Sequence, residues 1–309
     1  MLHDLLDRRF LAVIGKGGTG KTAVTAALAL LAASRGRRVL VAMAQSRERL
    51  SSMLETEYID SQIVRVLPNI DAVNMDPQVC LEEYGLMVLR VRALYKAMMD
   101  NRIVRGFLRA VPGMDAWSML GKALFHAKEQ EGGRPRYDLV ILDAPATGHG
   151  LQMLKVPSVI CDLAPPGLLR REAEDGLATL RDPKAAGIIV VTLPEEMPTT
   201  ETEELMGQLR NGLGMPVSAL VVNQTLEELF GAPGEQVARA AEALSREAAF
   251  APVGFAMRLR HDREHVQAAM LERLRALQTP MVTLPVCPTT LLRRADIEAL
   301  ARALEQQGV

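Results

Sequence analysis

Short apolar runs alternate with longer stretches of helical spacing along the chain. Phe10 to Ile14, Arg38 to Met43 (RVLVAM), Tyr137 to Leu142 (YDLVIL), Gly187 to Thr192 (GIIVVT), Val217 to Val222 (VSALVV) and Met281 to Val286 read as buried strands, with a shorter one at Ile70 to Met75. A helix-forming run from Ala23 to Ala33 follows the first strand, and Gly36 reads as its C-terminal glycine. Asp76-Pro77 makes a helix start. Residues 76–136 read as mostly helical with a break at Pro112-Gly113, and 150–183 as a second helical stretch; Thr200 with Glu203 resembles a capping box at a further helix start. This alternation predicts an α/β fold, a mostly parallel sheet covered by helices on both faces, with ligands bound beyond the carboxyl ends of the strands.

Between the first strand and its helix lies Gly15-Lys16-Gly17-Gly18-Thr19-Gly20-Lys21-Thr22, a complete G-x-x-x-x-G-K-[ST] pattern in the strand-to-helix setting that the pattern requires. Glycines let consecutive N–H groups and a helix N-terminus converge on a phosphate chain. Gly15 to Thr22, with Ala23 just inside the helix, are therefore the expected phosphate-binding residues of a P-loop NTPase; Lys21 is expected to reach the β- and γ-phosphates of ATP and Thr22 to place its hydroxyl on Mg²⁺. Lys16 is not needed to hold one nucleotide. Asp143, at the end of YDLVIL, stands where a strand-end carboxylate would fix the Mg²⁺.

Composition narrows the field. With 309 residues and 49% hydrophobic side chains the chain can build a sizeable core, read here as one domain over 1–309 with 76–136 and 150–183 as helical subdomain elements inserted in it. A net charge of −1 and basic residues scattered in pairs, such as Arg8-Arg9 and Arg293-Arg294, give no footprint for nucleic acid. Cys80, Cys161 and Cys287 lie far apart and suggest neither a disulfide framework nor a local zinc site. The start is charged and amphipathic, and no apolar run reaches the ~18 residues of a membrane span, so a cytoplasmic protein without a stable membrane anchor is expected.

GKGGTGKT resembles the deviant Walker A loop of the septum-site, plasmid-partition, nitrogenase-iron-protein and arsenical-pump ATPases. Asp143-Ala144-Pro145-Ala146-Thr147-Gly148-His149-Gly150 resembles the switch II of one branch, the arsenical-pump and tail-anchored-protein-targeting (ArsA-like) ATPases. PGMDAWSMLGKALFHAKE at 112–129, VVTLPEEMPTTETEELMGQL at 190–209 and LVVNQ at 220–224 agree, so the resemblance covers nearly the whole chain. It implies a face-to-face dimer, of identical chains or with a related ATPase, in which Lys16 crosses to the partner's nucleotide and ATP hydrolysis opens and closes the pair around a client protein. It also implies that Asn223, beyond the VSALVV strand, reads adenine; an amide offers both the donor and the acceptor that this base edge needs, and an Asx turn is the other reading. Pro285-Val286-Cys287-Pro288 resembles the second adenine wall, and Gly148 is a candidate hinge for the switch loop.

One departure stands out. Where the family carries D-P-A-H, whose aspartate positions the attacking water, this chain reads Met43 to Leu50 with Gln45 at the aspartate position. Phosphoryl transfer depends mainly on positioning and charge, and glutamine orients the water in another P-loop class, so slow hydrolysis is expected, or a nucleotide-binding subunit that completes a related partner's site. The methionines at 87, 98, 99, 114 and 119, with Leu86, Leu89, Val91, Leu94 and Phe107, suit interior packing or an adaptable groove for a hydrophobic client helix. His261-Asp262-Arg263-Glu264-His265 fits H-x-x-E-H, but arginines at 258, 260 and 263 oppose a cation there. Glu195, Glu196, Glu201, Glu203 and Glu204 read as an acidic first helical turn without chemistry, and three dispersed cysteines do not match a metalloid thiol cluster.

Overall fold

In a computed structural model, which describes residues 2–44, 48–102, 106, 111–229 and 234–309, strands and helices alternate from the start of the chain. They run β1 (Phe10–Gly15), α1 (Lys21–Ser34), β2 (Val39–Ala44), α2 (Leu50–Leu54), β3 (Val64–Leu67), β4 (Ile70–Met75), α3 (Pro77–Leu89), α4 (Arg92–Asp100), α5 (Met114–Lys128), β5 (Gln130–Glu131), β6 (Arg134–Pro135) and β7 (Leu139–Asp143). There follow α6 (Thr147–Leu163), α7 (Leu168–Arg181), β8 (Ala186–Thr192), α8 (Glu196–Gly207), β9 (Val217–Thr225), α9 (Gly234–Ser245), α10 (Ala251–Arg275), β10 (Met281–Pro285) and α11 (Arg294–Gln306). Eight strands form one sheet in the order β10-β9-β8-β1-β7-β2-β4-β3, and β5 pairs with β6 in a small hairpin. Every pairing in the large sheet is parallel except β3 with β4.

The central strands bury both faces, which is why they read as unbroken apolar runs. Phe10, Ala12 and Ile14 of β1 face a cluster completed by Trp117 and Leu120 of α5 and Leu154 of α6. Leu11 and Val13 face the opposite cluster, with Val24 and Leu28 of α1 and Ile297, Leu300 and Leu304 of α11. Two-residue periodicity thus feeds one strand into two cores. Because β1 is flanked by β7 and β8, the loop leaving β1 lies between the ends of those strands.

The predicted elements recur with shifted ends. Asp76 caps α3 by accepting from the backbone N–H groups of Gln78 and Val79, and Gly36 takes φ 79° just after α1. The mostly helical reading of 76–136 missed the β5–β6 hairpin, turned by Gly132 and Gly133. Earlier in the chain, the sequence pattern does not show α2 or β3, an antiparallel edge strand that is only partly buried and so carries little apolar signal. The capping box at Thr200 and Glu203 is overturned: α8 begins at Glu196, and both side chains instead accept from Arg273 of α10. No helix among the described residues is long and apolar enough to cross a membrane.

Candidate functional site

The loop between β1 and α1 is shaped by close backbone approach. At Gly15, φ is 152° and a Cβ would lie 2.1 Å from the Val191 carbonyl oxygen of β8; at Gly20, φ is 89° and a Cβ would lie 2.2 Å from Asn223 Nδ2. No side chain larger than hydrogen fits at either position. Gly20 also serves as the N-cap of α1 without a side-chain cap bond, and the first turn of α1 holds no acidic residue. The helix N-terminus therefore keeps its partial positive charge for an anion. Ala23 is buried in that first turn.

Lys16 organises the loop through its carbonyl oxygen, which accepts from Thr19 N–H at 3.4 Å, from Thr19 Oγ1 at 2.9 Å and from Lys21 Nζ at 3.1 Å. Burial lowers the pKa of Lys21, and the nearby Asp143 carboxylate opposes that shift. The Lys16 ammonium pairs with Glu201 of α8. Glu201 was not legible as a site residue: it belongs to an acidic run assigned above to a first helical turn, yet only Glu196 lies in that turn.

Asp143 ends β7, and its Oδ2 accepts from Thr22 Oγ1 at 2.6 Å. The carboxyl is 2% exposed, and Oδ1 is buried without a hydrogen-bond partner among the described residues. Burial pushes its pKa up to about 6 against the Thr22 bond and the Lys21 charge. A hard cation with oxygen ligands fits this donor set, because it would engage the orphaned oxygen and remove the cost of the buried charge.

Asn223 lies within β9, which continues to Thr225 rather than stopping at Val222. Its Nδ2 donates to the Thr19 carbonyl at 2.9 Å, so part of this buried amide is committed to the phosphate loop. Beyond it, the ends of β8, β9 and β10 meet α10 around a cavity of about 440 Å³ lined by Pro194, Gln224, Val286, Arg263 and Gln267, among others. Gln267 both donates to and accepts from the backbone of Leu226, fixing α10 against the segment after β9.

The segment after Asp143 crosses the loop and enters α6. A Cβ on Gly17 would sit 3.6 Å from Ala146 Cβ, which places the two loops against each other. Gly148 lies in the first turn of α6 in open space, whereas a Cβ on Gly150 would lie 2.7 Å from the Pro145 carbonyl oxygen, so Gly150 is the sterically required glycine that the sequence reading passed over. His149 lines a cavity of about 390 Å³ together with Gly113, Asp115 and Met119 at the start of α5. Gln45 lies outside the described residues.

Elsewhere, Met114 and Met119 are buried, while Val91 and Leu94 are 52% and 53% exposed. Met99, Tyr95 and Leu89 line an apolar cavity of about 100 Å³ against Trp117; the side chain of Met98 and all of Phe107 lie outside the described residues. In the H-x-x-E-H stretch, Glu264 accepts from Arg260 and from the Leu229 N–H. Cys80 and Cys161 belong to one core and Cys287 to the other, across the sheet, so the three thiols do not converge.

Comparison with known proteins agrees with this arrangement. The chain is 28% identical to ATPase BagA of Mycobacterium tuberculosis, over 96% of this chain and 92% of that protein. It is 26% identical to an ATPase ASNA1 homolog of Entamoeba dispar, over 71% and 76% of the two chains, and 25% identical to ATPase GET3 of Kluyveromyces lactis, over 71% and 72%. Residues 8–164 and 170–241, which hold the phosphate loop, Asp143, Glu201 and Asn223, match the family of anion-transporting ATPases, and the chain belongs to that ArsA-like ATPase family.

Proposed function

We propose that the chain is an ATPase in which nucleotide binding and hydrolysis open and close a dimer that handles a client protein. The observation that carries this reading is the bond from Thr22 to buried Asp143, whose second oxygen is unpartnered among the described residues, set against a phosphate loop in which Gly15 and Gly20 admit no side chain. Loop N–H groups and the start of α1 would hold the phosphates, Lys21 would leave the Lys16 carbonyl for the β- and γ-oxygens, and Thr22 with Asp143 would hold Mg²⁺. When bound, that cation neutralises charge developing on the transferred phosphoryl group. Lys16 would add a positive charge at the nucleotide of the facing copy, and Asn223 with the adjoining cavity would take the adenine.

The Pro145–Gly150 segment sits against both the phosphate loop and the start of α5, which supports a route from nucleotide state to the helices. We read 1–309 as one domain with 76–136 and 150–183 as helical subdomain elements. Exposed Val91 and Leu94 beside the apolar cavity under α4 support a hydrophobic helix as client. The same reading places the protein in the cytoplasm, without a membrane anchor or nucleic acid as partner.

A second reading rests on Gln45 in place of the family's water-positioning aspartate: a slow or hydrolysis-deficient subunit paired with a related ATPase. The deciding experiment is phosphate release by the purified chain with Mg²⁺ and ATP, beside Lys21→Ala and Lys16→Ala. Turnover lost in both variants supports a homodimeric ATPase. ATP binding without turnover supports the second reading, and Gln45→Asp should then raise turnover.

A further inference from the structure

Two neighbouring acids of α8 have separate partners. Glu203 is taken by Arg273 of α10, through Nε at 3.1 Å and Nη2 at 2.7 Å, and Glu201 is taken by Lys16. Between them, buried Thr202 donates to Thr192 Oγ1 at 2.9 Å, and Thr192 Oγ1 also reaches the Pro198 carbonyl at 3.2 Å, pinning α8 to the end of β8. Since Gly15 of β1 is in register with Val191 of β8, the residue after β1 and the second turn of α8 are brought together by sheet pairing and that hydroxyl bond. The side chains of Lys16 and Glu201 keep 35% and 29% of their surface exposed, enough for the pair to exchange partners without unfolding the loop.

We propose that Glu201 is the resting-state partner of Lys16, holding the ammonium inside its own protomer until closure of a nucleotide-loaded dimer draws it across. This rests on the dimer reading given above. Glu201 is thus a positioning residue that sets how readily closure occurs. An ammonium already matched to a carboxylate must give up that contact before it can meet a phosphate, so the ion pair opposes closure by a modest amount. Burial of Thr202 and the bidentate engagement of Glu203 keep Glu201 from following Lys16 over a long distance.

The test uses the full chain with Glu201→Gln, and Glu204→Gln as a control that removes an exposed charge from the same helix. Without nucleotide, Lys16 is acetylated with an amine reagent and its rate is read by peptide mass, normalised to exposed Lys184. Lys16 is expected to react about three- to tenfold faster in E201Q and unchanged in E204Q. With Mg²⁺ and ATP, E201Q should raise turnover at low protein concentration by a similar factor, and adding Lys16→Ala should remove the gain. Equal labelling in E201Q and the native chain overturns the pairing. A fall in turnover parallel to that of Lys16→Ala overturns the restraining role, since Glu201 would then be orienting the lysine for its task. If native turnover is indifferent to Lys16→Ala, the dimer-clamp reading fails and the restraining role fails with it; the labelling result, which needs neither nucleotide nor dimer, tells these failures apart.

Discussion

Thr22 Oγ1 lies 2.6 Å from Asp143 Oδ2, joining the first turn of α1 to the end of β7 across 121 positions of sequence. The bond leaves the second carboxylate oxygen buried and, among the described residues, unmatched, so the site carries an electrostatic cost that a cation or a proton would relieve.

That cost sets a pH dependence. Burial pushes the Asp143 pKa up to about 6 in the fold, against about 4 for an ordinary aspartate, so between those values the native state binds the extra proton. Stability without Mg²⁺ should be fully present at low pH and decline as pH rises through about 6, by an amount on the order of 3 kcal/mol. Asp143→Asn should remove this component and leave the metal-free chain more stable at pH 7, while abolishing Mg²⁺-dependent turnover. Urea unfolding at pH 5 and pH 8 with a chelator checks both; an Asp143→Asn chain no more stable than the native chain at pH 8 would contradict the buried-charge account.

Gly20→Ala should be more damaging than its size suggests. The new methyl would collide with Asn223 Nδ2 in a backbone conformation with φ 89°, displacing the loop from the helix N-terminus. ATP affinity, measured by calorimetry, should fall by about 100-fold or more, alongside the loss of turnover in Lys21→Ala.

Asn223→Ala should act at two levels. Losing the donor to the Thr19 carbonyl leaves a buried acceptor unmatched and should destabilise the chain by about 1–3 kcal/mol. If the same amide reads the base, discrimination of ATP from GTP should narrow as well. An unaltered ATP-to-GTP affinity ratio would confine Asn223 to supporting the loop.

Gly150→Ala tests the switch segment apart from nucleotide binding. Its Cβ would press on the Pro145 carbonyl oxygen, so the turn into α6 must shift while the residues from Gly15 to Thr22 are themselves unaltered. Turnover should fall about tenfold or more with ATP affinity within about threefold of native. Equal losses in both would show that the segment shapes the phosphate loop itself.

Much of this was readable beforehand because backbone requirements leave strong traces in sequence. Gly15, Gly20, Lys21, Thr22 and Asp143 stand out since phosphate and cation chemistry tolerates few substitutes at those spacings. Buried strands stand out since both faces are apolar. Glu201 did not, because its partner is 185 positions away and a glutamate on a helix has an ordinary solvent-facing explanation. Gly150 was masked by the neighbouring Gly148, since sequence shows that a glycine is present but not which one faces a carbonyl. Strand β3 was missed because an exposed edge leaves no continuous apolar run.

That edge has a bearing on assembly. β3 is four residues long, reverses the direction of its neighbour and carries Arg65, anchored to Asp71 of β4; at the far side β10 has five residues and ends at Pro285. Short borders furnished with a cation or a proline are poor templates for continuing a sheet into another molecule. Growth into fibres or sheet-fused aggregates through either border is thereby discouraged, which leaves the helix-covered faces and the loops at the strand ends as the surfaces open to any contact.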